Sequence, residues 1–211
     1  MTSLLDPIRK LHTKQLLIFD FDGTVADSSP LHARAFHKVL RPYGVTVNYP
    51  SIAGLRTLDA LRCLLGEVAL NLSAAELNLL VTSKQQTVRA MIASELVPLA
   101  GVDVFLRWAR SRFMLAMASS GSRETVELGL ERLGYGGWFT PLLCSEDVRL
   151  PKPNPEIFLC VLEHAKVPAA DAIIFEDSEA GLAAAQSAGI DSYDIRIGGW
   201  APWASVTGLD L

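Results

Sequence analysis

The stretch Lys14–Pro30, KQLLIFDFDGTVADSSP, decides how this chain is read. An apolar run, Leu16–Phe19, ends in two carboxylates one residue apart, Asp20 and Asp22. A short apolar run bounded by polar residues suits a strand covered on both faces. Two like charges at the mouth of such a strand repel each other and resist burial. A hard cation between them would remove both objections, and Mg²⁺ is the cation that such oxygen ligands suit. Side chains two apart on a strand point the same way, so Asp20 and Asp22 face one site if the strand runs that far.

Four further segments read as buried strands: Phe113–Ser119, Pro141–Ser145, Ala172–Asp177 and Asp191–Ile197. Helices with readable starts lie between them. Ser122 caps RETVELGLERL, Asn154 with Pro155 opens EIFLCVLEHAK, and Ser178 opens EAGLAAAQSAG. Strands alternating with helices imply an α/β fold, a doubly wound parallel sheet with right-handed crossovers. Residues 25–96 break that alternation, holding three helices and no convincing strand. The first starts at Ser29-Pro30, the second is LRTLDALRCLL, and the third opens on a capping box, Ser73 to Glu76, and ends before Pro98. The expected organisation is a discontinuous core, 1–24 and 97–211, with an all-helical cap inserted at 25–96.

Composition sets the outer limits. The chain has 211 residues, half of them apolar, with a net charge of −4. That argues for a well-packed core and against non-specific nucleic-acid binding. The N-terminal stretch lacks the apolar centre of a signal peptide, and no run approaches a membrane span. Three scattered cysteines, Cys63, Cys144 and Cys160, suit buried thiols in a reducing compartment. The expectation is a soluble cytoplasmic protein, a monomer or weak dimer, with no nucleic-acid or membrane partner.

Parallel sheets collect ligands at the carboxyl ends of their strands. Asp20, Asp22, Ser119, Glu176 and Asp177 all fall at such ends, and Lys152 joins them from a proline-rich loop. Asp177 completes an oxygen-rich cluster with Asp20 and Asp22. Alternation points Glu176 away from Asp177, as a support for the site or a partner for a nearby base. Ser119 and the N–H groups of Ser120 and Gly121 lead into a helix N-terminus, where an anion can be held. Mg²⁺, an ammonium and N–H donors together describe a phosphoryl site.

DFDGT, the strand-end Ser119, Lys152 in KPNPEIF, and FEDSEAGLAAAQSAGI resemble, in order, the four motifs of the haloacid dehalogenase-like superfamily. The helical insert sits where the phosphoglycolate phosphatase and β-phosphoglucomutase branch carries its cap. The resemblance implies a Rossmann-like core and a Mg²⁺-dependent phosphomonoester hydrolase acting on a small phosphorylated metabolite. It makes Asp20 the nucleophile that becomes an aspartyl-phosphate. Asp22 is the general acid/base and lends a backbone carbonyl to the metal. Ser119 and Lys152 bind the phosphoryl group, and Asp177 ligates Mg²⁺. His32 and Arg56 match cap positions that hold substrate, and Arg123 is placed to meet a second anion. Pro151 stands where the pattern usually has glycine before its lysine.

A true dehalogenase lacks the second carboxylate, and a phosphoaccepting receiver places its lysine after its acids, so neither fits. The alternative within the branch is a phosphosugar mutase. At the mutase's second phosphate site this chain offers Gly121 and Ser122 in place of a hydroxyl and an ammonium, which favours hydrolysis.

Overall fold

The computed structural model describes residues 11–204. The N-terminal stretch read above and the outer ends assigned to the core, 1–10 and 205–211, lie outside the described residues. Five parallel strands form the sheet: β1 Leu16–Phe19, β2 Met114–Ala118, β3 Leu142–Leu143, β4 Ala172–Glu176 and β5 Asp191–Asp194, in the order β3-β2-β1-β4-β5. The doubly wound core is therefore as expected, with β1 central. β1 is buried at every position. Leu17 and Phe19 enter one apolar layer with Phe105 and Trp200, while Leu16 and Ile18 enter the opposite layer with Ile157, Phe158 and Val161. This two-sided burial explains why the strand reads as continuously apolar rather than alternating.

β2 and β4 lose only one or two end residues from the expected spans, but two strands are much shorter than the sequence suggests. β3 keeps only Leu142 and Leu143 of the expected five residues. β5 stops at Asp194, whose carboxylate accepts from the Arg196 backbone N–H and side chain and so turns the chain out of the ladder. β1 also ends before Asp22. Asp20 N still donates to Phe175 O, but Val25 N and Ala26 N both bond back to Phe21 O, closing a turn.

Between β1 and β2 lie α1 Ser29–Leu40, α2 Thr57–Glu67 and α3 Ala74–Glu95. Ser73 and Glu76 make the capping box as read. These helices hold an apolar cluster of their own, built around Phe36, Leu40, Leu61, Leu64, Leu65 and Leu80. The inner ends of α1 and α3, Leu31, Ala35, Val88 and Ile92, join the core layer beside Phe21 and Val25. The remaining helices are α4 Val102–Ala109, α5 Arg123–Arg132, α6 Glu156–Ala165, α7 Glu179–Ser187 and the short α8 Ala201–Ala204. α5 comes close to the turn after β1, since a Cβ on Gly129 would lie 2.4 Å from the Phe21 ring. Among the described residues no helix is long and apolar enough to cross a membrane.

Candidate active site

The carboxyl ends of β1, β2 and β4 meet on one rim because these strands are neighbours in register, Phe19 beside Met117 and Phe175. Three acids converge there: ligand oxygens of Asp20, Glu176 and Asp177 lie within 4.8 Å of one another. Lys152 reaches them from the loop before α6, donating to Asp20 Oδ1 at 2.7 Å, Glu176 Oε2 at 2.7 Å and the Ala118 carbonyl at 2.9 Å. Pro151 thus leaves the lysine where the motif needs it.

The acidic cluster differs in one member from the expected set. Glu176, not the Asp22 side chain, is the third carboxylate beside Asp20 and Asp177. Glu176 is spoken for: besides Lys152 it accepts from the Ser178 N–H and hydroxyl at the start of α7. An α-carbon hydrogen is all the helix offers at Gly181, where a Cβ would lie 2.0 Å from the Glu176 carboxyl carbon. Glu176 therefore anchors Lys152 to the sheet, one of the two roles the sequence left open to it.

The protonation balance reflects a shortage of positive charge. Burial and then Glu176 push Asp20 well above the ordinary aspartate range despite Lys152. Asp177 is pushed up to about 7, again by burial and Glu176. Burial alone would lower Lys152, but Asp20 and Glu176 outweigh it and hold the ammonium charged well above the usual range. Three carboxylates facing one ammonium form a hard-oxygen site short of cationic charge, and a divalent metal ion fits that deficit. Glu176 has both oxygens engaged, whereas Asp20 Oδ2 and Asp177 Oδ2 take no hydrogen bond among the described residues.

Asp22 faces a different environment. Its Oδ1 accepts from Ser28 Oγ at 2.5 Å and lies 3.3 Å from His32 Nε2. Burial opposes its charge, but His32 and the Ser28 hydroxyl outweigh burial and bring Asp22 below the ordinary aspartate range. His32 is itself held below the usual histidine range by burial and by Lys84, whose Nζ sits 2.9 Å from Nδ1. At neutral pH the arrangement is then a neutral imidazole accepting at Nδ1 from Lys84 and turning its Nε2–H toward Asp22. Nε2 is buried and makes no full hydrogen bond among the described residues.

Asp20, Asp22, His32, Tyr49, Lys84, Ser120 and Gly121 line one small cavity of about 40 Å³. Lys84, Tyr49, Ser28 and Thr24 were not picked out from the sequence. For Lys84 a signal was present. Leu80, Lys84, Val88 and Ile92 are the buried residues of α3, so the lysine interrupts an apolar stripe of spacing four.

The other candidates divide. Ser119 is buried, and its Oγ accepts from Gly121 N at 3.0 Å, so the Gly121 N–H is engaged within the loop. The Arg123 N–H at the start of α5 is taken by Glu146. Ser122 holds the N-cap position without a backbone cap bond, its hydroxyl pairing instead with Thr125 Oγ1 at 2.8 Å. The Arg123 side chain does not join the site: its guanidinium bonds Asp147, the Leu142 carbonyl and Glu127. Arg56 donates to the Val148 and Arg149 carbonyls, binding the insert to the loop after β3. It still borders a second cavity of about 200 Å³, with Thr57, Gln85, Ser120, Ser122 and Ser145 in its wall.

Comparison with known proteins adds four findings. A profile described as haloacid dehalogenase-like hydrolase matches residues 17–195. Fructose-1-phosphate phosphatase YqaB of Escherichia coli is 30% identical over 181 residues, which cover 86% of this chain and 96% of that protein. The phosphorylated carbohydrates phosphatase of Thermotoga maritima is also 30% identical over 181 residues, covering 84% of this chain and 82% of that one. Among solved structures, β-phosphoglucomutase from Clostridium difficile superposes with a TM-score of 0.77 at 24% identity, covering 86% of this chain and 84% of its own, a likeness of fold.

Proposed function

We propose, from the premise that the chain belongs to the haloacid dehalogenase-like hydrolases and is a phosphoric monoester hydrolase, that it dephosphorylates a small phosphosugar with Mg²⁺ and Asp20 as nucleophile. The observation that carries this reading is the split between two neighbouring carboxylates. Asp20 is set against Lys152 and two further acids, whereas Asp22 is set against Ser28 and His32. Opposed environments are how two like groups take two roles in one site.

In this mechanism Asp20 attacks phosphorus and forms an aspartyl-phosphate, while Lys152 and Ser119 balance charge on the phosphoryl oxygens. Asp22 delivers a proton to the departing sugar oxygen and then takes one from the attacking water. The pKa held down by Ser28 and His32 keeps Asp22 ionised, the state in which it can take the water's proton; the acid step requires it to be protonated in the substrate complex. Asp20, Asp177 and the Asp22 backbone carbonyl would hold Mg²⁺, which when bound supplies positive charge to the phosphoryl group. His32 Nε2–H faces Asp22 at 3.3 Å and makes no full hydrogen bond among the described residues, so it can turn from Asp22 to a substrate oxygen.

A sugar is favoured by the hydroxyl and amide wall of the 200 Å³ cavity beside Ser120. Hydrolysis is favoured over phosphosugar mutation because a mutase needs a second phosphate anchor. Arg123 is tied to Asp147, Leu142 and Glu127, and Arg56 to two carbonyls. The names of the two phosphatases at 30% identity point the same way.

Residues 25–96 are proposed as a cap hinged near Val25–Ser28 and Leu96–Gly101, closing over the rim to exclude water. The contacts of Arg56 with the Val148 and Arg149 carbonyls are ones that such a closed form would make. We place the enzyme in the cytoplasm, supported by Cys63, Cys144 and Cys160 being free thiols, though Cys63 is exposed rather than buried as the sequence suggested.

The test is phosphate release from a panel of monoesters that includes fructose 1-phosphate, glucose 6-phosphate and phosphoglycolate. Mg²⁺-dependent turnover, abolished by EDTA and strongest on a sugar phosphate, is the expected result. Supplying β-glucose 1-phosphate with a trace of 1,6-bisphosphate should release phosphate. Rapid glucose 6-phosphate formation without phosphate would overturn the hydrolase reading.

A further inference from the structure

Behind the rim, the chain after β5 folds back across the sheet and inserts Trp200, which is 1% exposed. Its indole stacks on the last residue of β1, Phe19, at 6.0 Å between centroids, and packs against Phe175 of β4 at 5.0 Å and Phe105 at 5.1 Å. Phe19 and Phe175 immediately precede Asp20 and Glu176, so the ring lies directly beneath both acid-bearing strand ends. Its one polar atom has a single, buried partner: Nε1–H donates to the Thr24 carbonyl at 2.9 Å.

Thr24 is fully buried, and its hydroxyl donates to Asp177 Oδ1 at 3.1 Å. The turn that carries it is pressed against the same carboxylate. Gly23 has φ +81°, and a Cβ there would lie 2.1 Å from Asp177 Oδ2. A carboxylate held this closely takes its orientation from the turn, and the turn's outer side is held by Trp200. The hold extends to the far hinge, since a Cβ on Gly101 would lie 3.1 Å from Trp200 Cβ.

We propose that Trp200 is a positioning residue for the acidic cluster: through the Thr24 carbonyl it fixes the turn from which the Thr24 hydroxyl orients Asp177. The inference rests on the reading of Asp177 as a metal-holding carboxylate. It assigns a role at the site to a residue 23 positions beyond Asp177, outside every motif of the rim. Metal affinity is sensitive to such outer contacts because they decide whether a ligand oxygen is aimed before the ion arrives.

The experiment is Mg²⁺ binding by isothermal calorimetry on the full chain and on Trp200→Phe, Thr24→Val and the double variant. Phe keeps an aromatic ring in the stack and removes the donor, with some loss of packed volume. Trp200→Phe is expected to weaken Mg²⁺ binding roughly tenfold. The double variant should bind no more weakly than Thr24→Val, because both substitutions break the same chain of contacts. Wild-type affinity in Trp200→Phe, or effects that simply add in the double variant, would overturn the proposal. Should Trp200→Phe not fold, the wild-type indole N–H resonance of Trp200 is followed by NMR, assigned through its contacts with Phe105 and Phe175. It should shift in step with Mg²⁺ occupancy, and a resonance that stays still overturns the coupling. A wild-type chain that binds no Mg²⁺ at all would instead remove the metal reading itself, and this inference with it.

Discussion

The core rim and the wall that the helical insert sets against it both bury charge, by opposite means. On the rim, Lys152 is matched by two carboxylates and a carbonyl, all within 2.9 Å. On the insert, Lys84 is just as buried, yet it bonds the Nδ1 atom of a neutral imidazole, lies over the face of Phe36 at 4.5 Å, and feels the Asp22 charge only from beyond ion-pair distance. The first cation is held far up its titration range, and the second falls to about 8 through burial. The rim is thus electrostatically complete apart from its metal, whereas the insert holds a cation whose burial the fold alone does not offset. A cation kept at such a cost is one that a substrate anion or the transferring phosphoryl group can complete.

The largest expected effect removes the rim's nucleophile. Asp20→Asn keeps the shape of the side chain but loses its charge, and turnover should fall by at least ~10³-fold. Initial rates on the best monoester decide it, and near-wild-type turnover would end the covalent mechanism. The same variant should also lose inhibition by beryllofluoride, which mimics a phosphoryl group on Asp20.

Next comes the contrasting lysine. Lys84 titrates near 8 in the folded chain against 10.5 unfolded. Below pH 8 both states are protonated and the full cost of burying the charge is present. Between pH 8 and 10.5 the folded state has released its proton while the unfolded state has not, so stability rises with pH. Lys84→Met should therefore stabilise the fold at neutral pH by at most about 3 kcal/mol, less about 1–3 kcal/mol for leaving His32 Nδ1 without its donor, and the advantage disappears by about pH 10.5. Denaturant unfolding at pH 7 and pH 10 measures it. A Lys84→Met protein less stable than wild type at pH 7 would mean that this lysine is as well matched as Lys152.

A smaller effect tests how the two regions meet. Gly54, in the insert, has φ +77°, and a Cβ there would lie 2.5 Å from the Ser178 hydroxyl at the start of α7. Ser178 also holds Glu176, so this contact touches the support of Lys152. Gly54→Ala should keep the insert from seating and lower kcat/KM by roughly ten- to a hundredfold. X-ray scattering with Mg²⁺ and beryllofluoride should then show a wider particle than the wild type. Unchanged kcat/KM would show that the seated arrangement plays no part in the reaction.

The same contrast explains what the sequence revealed. Rim residues follow from the strand register: once Leu16–Phe19 and Ala172–Glu176 are recognised as neighbouring strands, Asp20 falls beside Glu176, with Asp177 next along the chain. Glu176 was ambiguous because strand alternation stops mattering one residue from the strand end, where the chain turns into α7 and the long side chain reaches back to Lys152. Lys84 and His32 are 52 residues apart, and their meeting depends on how α1 and α3 pack, which no local pattern encodes. Trp200 is further still from any motif, 176 residues from the carbonyl it holds. The ends of β3 and β5 were overextended because apolar composition continues past the last ladder bond, while side chains such as Asp194 end the strand.

The smallest expected effect concerns Arg123, which the sequence places beside the phosphate loop. A guanidinium there could anchor a second phosphate only if it were available to one. Its Nη2 instead donates to Asp147 at 2.6 Å and to the Leu142 carbonyl at 3.1 Å, and Nη1 lies 3.4 Å from Glu127. Asp147 in turn accepts from Cys144 N, so the arginine fastens the loop after β3 to α5 rather than facing the cavity. The pair is partly exposed, with side chains 38% and 29% accessible, and such pairs contribute about 0–1 kcal/mol. Arg123→Ala should therefore lower stability by less than about 1 kcal/mol and leave kcat/KM on a sugar monophosphate within about twofold. A sugar bisphosphate offers the sharper measurement, because a second phosphate would seek this cation if it were free. Equal losses on mono- and bisphosphate substrates are expected. A loss of about tenfold confined to the bisphosphate, the size of one charge-assisted contact, would place Arg123 in the site and reopen the mutase reading.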